Sequence, residues 1–521
     1  MKNLERTIIE KLVKSGSKDP DVLTLTKRQA AKQYSLPMPT NISLLKTYNS
    51  LIKNGVVKSS PDIKRLLVTR PVRSLSGIVN ISVLTKPYRC PGKCLYCPIE
   101  KGIPKSYVSG EPAVERAKTL KFDPYLQVKK RIKMLESEGH PTDKIELRIV
   151  GGTWSFYPQK YQTWFIKRCF DACNDKILDI QKSQKMNETA KHRVVGLSIE
   201  TRPDFITPKE IIRLRELGVT MVELGIQSIY DDVLRKNLRG HEVKEIISAT
   251  QLLKDAGFKI LYQMMPNLYG SSPARDLKMF KILFSDPSFQ PDLLKIYPCA
   301  LLKNSPLFNV WQKGKYQPYL RSQLVSLVRA IKKIVPYYVR IQRITRDIPS
   351  KSIASGPAKI SNLRQLVNGN CKCIRCREVK ENYDPKEKLY LFRQDYPASE
   401  GQEIFLSYEN KNRAKLYSLL RLRMIEARPQ SSRPTAFIRE LHTYGQLRPI
   451  DSDGVIDGGR TSVNSPQHRG LGKKLIAEAE KISKKEFEAK KIAVISGVGV
   501  RGYYRKLGYR LENTYMVKDL G

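Results

Sequence analysis

The sequence predicts an α/β protein: a basic helical start, a parallel sheet open or closed into a barrel, and a smaller α/β unit at the end. Three observations predict it. From about residue 80 to 345, apolar strand-like runs alternate with amphipathic helical stretches, the pattern of parallel strands joined by crossover helices. A tight cysteine group follows the first of those runs. Far downstream, a glycine-rich turn stands between a strand-like run and a helical one.

Size and charge bound the reading. At 521 residues the chain has room for about three or four domains. It carries 94 Lys and Arg against 50 Asp and Glu, a net charge of +44. Such an excess fits a polyanionic partner, because cations that neutralise phosphates release condensed counterions. A chain adapted to an unusual cell interior, and an AT-rich genome that favours lysine codons, are the alternatives. No run of about 18 apolar residues occurs, so no membrane span is expected, and the first residues lack a signal peptide's apolar stretch. A soluble, cytoplasmic protein is expected. Nine cysteines without a secretion signal argue for metal or redox chemistry rather than disulfides.

Residues 1–75 read as helices, clearest at 26–32 and 44–54, broken by Pro37, Pro39 and Asn41. Fifteen Lys and Arg against five Asp and Glu make this a candidate nucleic-acid-binding element, a solvated basic cap being the alternative. Strands are expected at 78–84, 145–150, 194–199, 221–226, 259–265 and 293–297, with helices such as 208–217 and 243–256 between them.

Cys90, Cys94 and Cys97 have CxxxCxxC spacing on a loop after the first strand. Three thiolates on a short loop can hold three irons of a [4Fe–4S] cluster. S-adenosylmethionine can then chelate the fourth iron, and electron transfer into its sulfonium releases a 5′-deoxyadenosyl radical. Zinc, the alternative, prefers four closed ligands. Gly151, Gly152 and Thr153 end a strand where a missing β-carbon lets backbone approach a ligand. Cys371, Cys373 and Cys376, with basic Lys372, Arg375 and Arg377 beside them, suit a structural zinc whose fourth ligand is not identifiable. Cys169, Cys173 and Cys299 read as ordinary thiols.

The run Gln467-His468-Arg469-Gly470-Leu471-Gly472 precedes a helix at 473–489, with strands at 436–444 before it and 492–496 after. Backbone N–H groups at such a helix start suit the pyrophosphate of coenzyme A.

Longer matches make the resemblance specific. Ser106-Tyr107, Gly110-Glu111-Pro112-Ala113, Phe122-Asp123-Pro124-Tyr125 and Gly151-Gly152-Thr153 stand in order. Glu200-Thr201-Arg202-Pro203-Asp204, Glu223-Leu224-Gly225-Ile226-Gln227-Ser228, Arg239-Gly240-His241, Arg439-Glu440-Leu441-His442 and residues 497–509 follow. Over nearly its whole length the chain resembles the catalytic subunit of Elongator in its single-chain prokaryotic form. It departs from that family at Cys97-Pro98-Ile99-Glu100, where Cys-Pro-Gly-Gly is usual, and its first cysteine gap is shorter than in eukaryotic members; neither change removes a ligand.

The resemblance implies four parts: a tRNA-binding region at 1–75, a radical-SAM partial (β/α) barrel at 76–345, a zinc-binding connector at 346–388, and a GNAT acetyltransferase domain at 389–521. It implies that S-adenosylmethionine lies near Gly151, Gly152, Thr153, Glu200, Arg202 and Gln227. Acetyl-CoA would be lined by Glu440, Leu441, His442, Thr443, Gln467, Gly470, Leu471, Gly472, Lys473 and Tyr504, with Lys144 reaching it from the barrel. Lys144, Tyr503 and Tyr504 are the candidate catalytic side chains. A phenol at Tyr504 can hydrogen-bond the thioester or protonate a leaving thiolate; packing with Tyr503 and Tyr509 is the alternative.

The implied activity is formation of 5-carboxymethyluridine at the wobble position of tRNA. The radical takes hydrogen from the acetyl methyl group, and the carbon radical adds to uridine C5. Oxidation, proton loss and thioester hydrolysis follow. The implied partners are tRNA, acetyl-CoA and an external electron donor; a homodimer is left open. A protein lysine acetyltransferase using only the C-terminal unit is the main alternative, but it leaves Cys90, Cys94 and Cys97 unused. A non-catalytic tRNA-binding scaffold leaves both cofactor sites unused.

Overall fold

A computed structural model describes residues 2–360, 362–380, 383–425, 435–447, 465–467 and 469–521. Several helix starts follow directly from local chemistry. At Asp19, Ser60, Asp123, Thr207 and Ser272 a side-chain oxygen accepts a first-turn backbone N–H, and proline comes next. Proline fits there because its missing N–H has no acceptor in a first turn and its fixed φ is already helical. Helices Lys2–Ser15, Pro20–Gln33, Asn41–Lys53 and Pro61–Leu67 close around a core of their own that includes Leu4, Ile8, Leu44, Tyr48 and Leu67.

Seven parallel strands then pair in chain order: β1 (Val79–Leu84), β2 (Lys144–Val150), β3 (Arg193–Thr201), β4 (Met221–Gln227), β5 (Lys259–Met264), β6 (Leu293–Ile296) and β7 (Arg340–Ile344). β1 and β7 are the two edges, so the barrel is partial. β2 shows the alternation that builds it. Ile145, Leu147 and Ile149 join the core shared with the covering helices, whereas Lys144, Glu146, Arg148 and Val150 stay half-buried on the inner side. No helix among the described residues is long and apolar enough to cross a membrane.

A second seven-stranded sheet follows: β8 (Tyr390–Ala398), β9 (Gly401–Glu409), β10 (Leu416–Met424), β11 (Ala436–Thr443), β12 (Lys491–Val494), β13 (Arg510–Glu512) and β14 (Tyr515–Asp519). Its order is β8-β9-β10-β11-β12-β14-β13, antiparallel except for β11 with β12. That parallel pair spans only Ala436–Ile438 of β11; β11 then runs on to Thr443 beside β10 alone. The helix Leu471–Phe487 packs Leu475, Ile476, Ala479 and Ile482 into a core with Leu420, Leu422 and Ile438.

The second sheet sits on the ends where the barrel strands begin. Arg439 donates to Asp292 Oδ1 at 2.5 Å, Glu403 Oε2 at 2.8 Å and the Phe258 carbonyl at 2.6 Å. Arg421 reaches the Tyr338 carbonyl at 2.6 Å, and Arg423 reaches Asp255 Oδ1 at 2.5 Å. Phe258, Asp292 and Tyr338 stand just before β5, β6 and β7. Gly497 and Gly499 let the C-terminal unit press on β3: a β-carbon on Gly497 would lie 2.2 Å from the Val195 carbonyl oxygen.

The expected strands of the barrel are present, with ends shifted by a residue or two. β7 and the β8–β10 meander were not foreseen. β7, Arg340-Ile341-Gln342-Arg343-Ile344, has three polar residues of five because its side chains serve the barrel interior and the domain contact. The expected helix at 473–489 runs Leu471–Phe487, and the expected strand at 492–496 ends at Val494.

Candidate active site

At the ends where the barrel strands finish, one polar cavity of about 240 Å³ opens. This is where parallel α/β sheets place their ligands. The chain leaves β1 through Thr85 into the cysteine loop. Cys94 is buried and Cys90 and Cys97 are half-buried, all three as free thiols lining the cavity. Gly92 lies between them. A β-carbon there would stand 2.6 Å from Arg202 Nη1, 3.5 Å from Cys94 Sγ and 3.7 Å from Cys90 Sγ, so a larger residue would push the Arg202 guanidinium aside. Arg239 Nη1 donates to Cys94 Sγ at 3.5 Å. A hydrogen bond from Cys97 and the Arg239 charge hold the Cys94 thiol down at about 4, while Cys97 is pushed up. Three soft sulfur donors beside a buried cation are the right chemistry for an anionic iron–sulfur cluster.

Gly151 (φ +134°) and Gly152 (φ +105°) end β2 in backbone conformations that side chains disfavour. A β-carbon on Gly151 would fall 2.0 Å from Thr85 Oγ1. Thr153 Oγ1 stands 3.8 Å from Cys90 Sγ.

The same cavity holds a charged cluster. Glu200 Oε2 accepts from the Tyr107 hydroxyl at 3.1 Å. Its Oε1 accepts from Gln263 Nε2 at 3.1 Å and from Lys295 Nζ at 3.3 Å. Lys295 also pairs with Glu223. Burial opposes a charged Lys295, but Glu223 and Glu200 hold it protonated, above the ordinary lysine range. Burial and the neighbouring Glu223 push Glu200 up, with Lys295 opposing. Arg202 is clasped by Asp204 at 2.9 Å through Nε and through Nη2, leaving Nη1. Among the described residues, buried Arg202 Nη1 and Arg239 Nε, both from side chains that line the cavity, have no hydrogen-bond partner. Buried polar atoms are rarely orphaned, so a cavity edged by two of them is built for a polar ligand. Gln227, at the end of β4 with φ +73°, faces the same cavity.

A second constellation lies at the other end of the barrel. Lys144 Nζ, at the start of β2, donates to Gln467 Oε1 at 3.0 Å. Gln467 Nε2 donates to the carbonyls of Thr443 at 3.0 Å and Gly77 at 3.3 Å. Burial lowers Lys144 to about 8. Glu440 is committed to Arg421 at 2.8 Å and Lys259 at 3.2 Å; although burial works the other way, these cations draw it down to about 2. His442 Nε2 bonds the Ser76 carbonyl at 2.7 Å, and its ring stacks on Tyr444.

Gly470, with φ +79°, caps the helix that starts at Leu471, so the first-turn N–H groups of Leu471, Gly472 and Lys473 have no acceptor within the helix. The Tyr503 hydroxyl faces this turn, since a β-carbon on Gly472 would stand 3.0 Å from it. Tyr504 is buried in the C-terminal core, edge-on to Tyr503 and Tyr509. His468 lies outside the described residues. In the connector, the sulfurs of Cys371, Cys373 and Cys376 all lie within 4.8 Å of one another. Among the described residues, no histidine or carboxylate joins them as a fourth ligand.

The fold thus brings Cys90, Cys94, Cys97, Gly152, Thr153, Glu200, Arg202 and Gln227 to one cavity, and Lys144, Thr443 and Gln467 to another place. Glu223, Arg239, Gln263 and Lys295 were not singled out as site residues from sequence. A signal existed for Lys295, a lysine in the apolar run Leu293-Leu294-Lys295-Ile296, and for Glu223, an inward partner of Gly225 and Gln227 at period two.

Comparison with known proteins agrees with this geometry. The Radical SAM superfamily matches residues 85–279, and the Radical SAM C-terminal domain matches residues 291–372. The chain is 42% identical to the tRNA uridine(34) acetyltransferase of Methanocaldococcus infernus over 545 aligned positions, covering 99% of each protein. It is 36% identical to Elongator complex protein 3 of Homo sapiens, covering 98% of this chain and 96% of that one. A solved structure of the archaeal Methanocaldococcus infernus Elp3 with an N-terminal deletion matches with TM-score 0.74 and 42% identity, over 86% of this chain and all of that one.

Proposed function

The chain belongs to the tRNA uridine(34) acetyltransferase and Elongator complex protein 3 family, and from that premise we propose that it makes 5-carboxymethyluridine at the wobble position of tRNA from acetyl-CoA. It is an acetyltransferase of the radical-SAM superfamily that acts on tRNA. The observation that carries the finer reading is that one barrel has a cysteine-lined cavity at one end and the Lys144–Gln467 contact with the C-terminal unit at the other.

Bound in the cavity, the iron–sulfur cluster and S-adenosylmethionine supply a hydrogen-abstracting radical. The residues do the rest. Cys90, Cys94 and Cys97 would hold the cluster, and Arg239 offsets its negative charge next to Cys94. Gly151 and Gly152 let backbone approach the cofactor, and Glu200, Arg202 and Gln227 offer it polar atoms. An external donor would provide the electron.

The C-terminal sheet is read as a GNAT unit because β11 and β12 part after Ile438, leaving an opening beside the N-terminus of the helix Leu471–Phe487. There the first-turn N–H groups suit the coenzyme A pyrophosphate. Lys144 is the barrel's contribution to the acetyl-CoA site, and Tyr503 and Tyr504 the candidate hydroxyls. Cys371, Cys373 and Cys376 would hold a structural zinc. The basic helical start is proposed to bind tRNA through its phosphates.

The test is anaerobic incubation of the reconstituted protein with tRNA, S-adenosylmethionine and acetyl-CoA, followed by nucleoside analysis. A carboxymethyl group on the wobble uridine supports the reading. Acetylated protein lysines with unmodified tRNA would favour the protein acetyltransferase instead.

A further inference from the structure

Beside the cysteine cavity runs a feature that the chemistry above leaves unused. Six aromatic rings form an unbroken row: Phe205, Phe156, Tyr88, Tyr157, Tyr161 and Trp164. Successive centroids lie 5.9, 6.1, 5.0, 5.2 and 5.6 Å apart. The middle of the row is pinned to the cavity wall. The Tyr157 hydroxyl donates to the Gly151 carbonyl at 3.3 Å and to the Lys86 carbonyl at 2.8 Å, and the Tyr161 hydroxyl accepts from the Lys86 N–H at 3.0 Å. Tyr88 stands two residues before Cys90, and Phe205 three residues after Arg202, and both Cys90 and Arg202 line the cavity, so the segments that carry these rings run up to it.

Only Tyr157 is fully buried. Tyr88, Phe156, Phe205 and Tyr161 are half-buried, and Trp164 keeps 42% of its surface exposed. Rings pinned by hydrogen bonds, with part of their surface left to solvent at Tyr88, Phe156, Tyr161, Trp164 and Phe205, form a platform rather than a core. Its border is cationic: Lys86, Arg89 and Lys160 are exposed, and Lys86 Nζ lies 4.9 Å over the Tyr161 ring. The nearest acid in sequence, Asp204, is already paired with Arg202.

Open aromatic faces bordered by cations are how proteins hold unpaired nucleotides: bases stack on the rings and phosphates meet the charges. A base that enters an enzyme cavity must leave its stack, and its neighbours then need a new surface. We infer that this aromatic row is the platform on which the single-stranded nucleotides flanking the target uridine stack. The inference rests on the reading of the chain as a tRNA-modifying enzyme.

The test uses full-length protein and a hairpin RNA carrying the anticodon loop, with 2-aminopurine beside the target uridine. Stacking on a ring quenches 2-aminopurine. Wild type is expected to bind and quench. Trp164→Leu, and separately the pair Tyr88→Leu with Phe156→Leu, should weaken hairpin binding by about tenfold and reduce the quench. The salt dependence should stay unchanged, since the cations remain. Binding of a loopless duplex should also be unchanged. Unchanged hairpin affinity and quench in both variants would overturn the inference. So would equal weakening of hairpin and duplex. If the variants bind hairpin normally but slow cluster reduction by a protein donor and not by dithionite, the row is a redox-partner dock and the inference falls. Failure of wild type to bind any tRNA would instead defeat the functional reading itself.

Discussion

Replacing Lys144 with methionine should make the unliganded protein more stable at neutral pH. Burial lowers the folded-state pKa of Lys144 from 10.5 to about 8. Below pH 8 the folded protein therefore carries a half-buried ammonium that the unfolded chain carries in water. At 1.36 kcal/mol per tenfold change in the protonation equilibrium, that lowering costs ~3 kcal/mol. The cost shrinks as pH rises from 8 and vanishes above 10.5, where both states are neutral. Methionine keeps most of the stem but loses the bond to Gln467, about 1 kcal/mol. The variant should thus gain about 2 kcal/mol below pH 8 and lose about 1 kcal/mol at pH 10.5. Urea-unfolding midpoints of both proteins at the two pH values measure the difference, and acetyl-CoA added in parallel should stabilise only the wild type. A loss of stability in the variant at pH 7, or a difference indifferent to pH, would refute the claim that Lys144 is held at a cost in stability for ligand binding.

Further outcomes are expected. Cys94→Ala, reconstituted without oxygen, should lose S-adenosylmethionine cleavage yet still bind acetyl-CoA; an unchanged yield of 5′-deoxyadenosine would remove the cluster assignment. Asp292→Ala leaves Arg439 and Arg421 as buried charges short of a counter-ion, and should cost about 3–5 kcal/mol, read as a lowered urea midpoint. Deleting residues 1–75, with fifteen Lys and Arg against five Asp and Glu, should weaken tRNA binding and flatten its salt dependence, measured at two salt concentrations. Tyr504→Phe should lower tRNA-stimulated acetyl-CoA turnover while sparing S-adenosylmethionine cleavage; a change in melting temperature alone would mark Tyr504 as a packing residue.

The barrel was legible because strands such as β4 and β6 are buried on both faces. Runs such as Met221-Val222-Glu223-Leu224-Gly225-Ile226 stand out from the amphipathic helices around them. The cysteine loop was legible because its three thiols are local in sequence. What stayed hidden depends on distant partners. β7 reads as polar because Arg340 pairs with Glu378, and β10 carries Arg421 and Arg423, whose acids include Asp292 and Asp255 far away in the barrel. Arg239 gives no local sign of facing Cys94, 145 residues away. The aromatic row gathers rings from three separate segments, at 88, 156–164 and 205. Gln467 showed as part of a loop pattern, but its contact with Lys144 spans 323 residues and appears only once the domains dock.

The most direct test of the account follows one hydrogen atom. The reconstituted protein is given tRNA, S-adenosylmethionine and acetyl-CoA deuterated at the acetyl methyl group, and the products are weighed by mass spectrometry. The account predicts deuterium in 5′-deoxyadenosine and a deuterated carboxymethyl group on the wobble uridine, both lost in Cys94→Ala. Modified uridine alongside unlabelled 5′-deoxyadenosine would contradict it, because the two ends of the barrel would then not act on the same acetyl group.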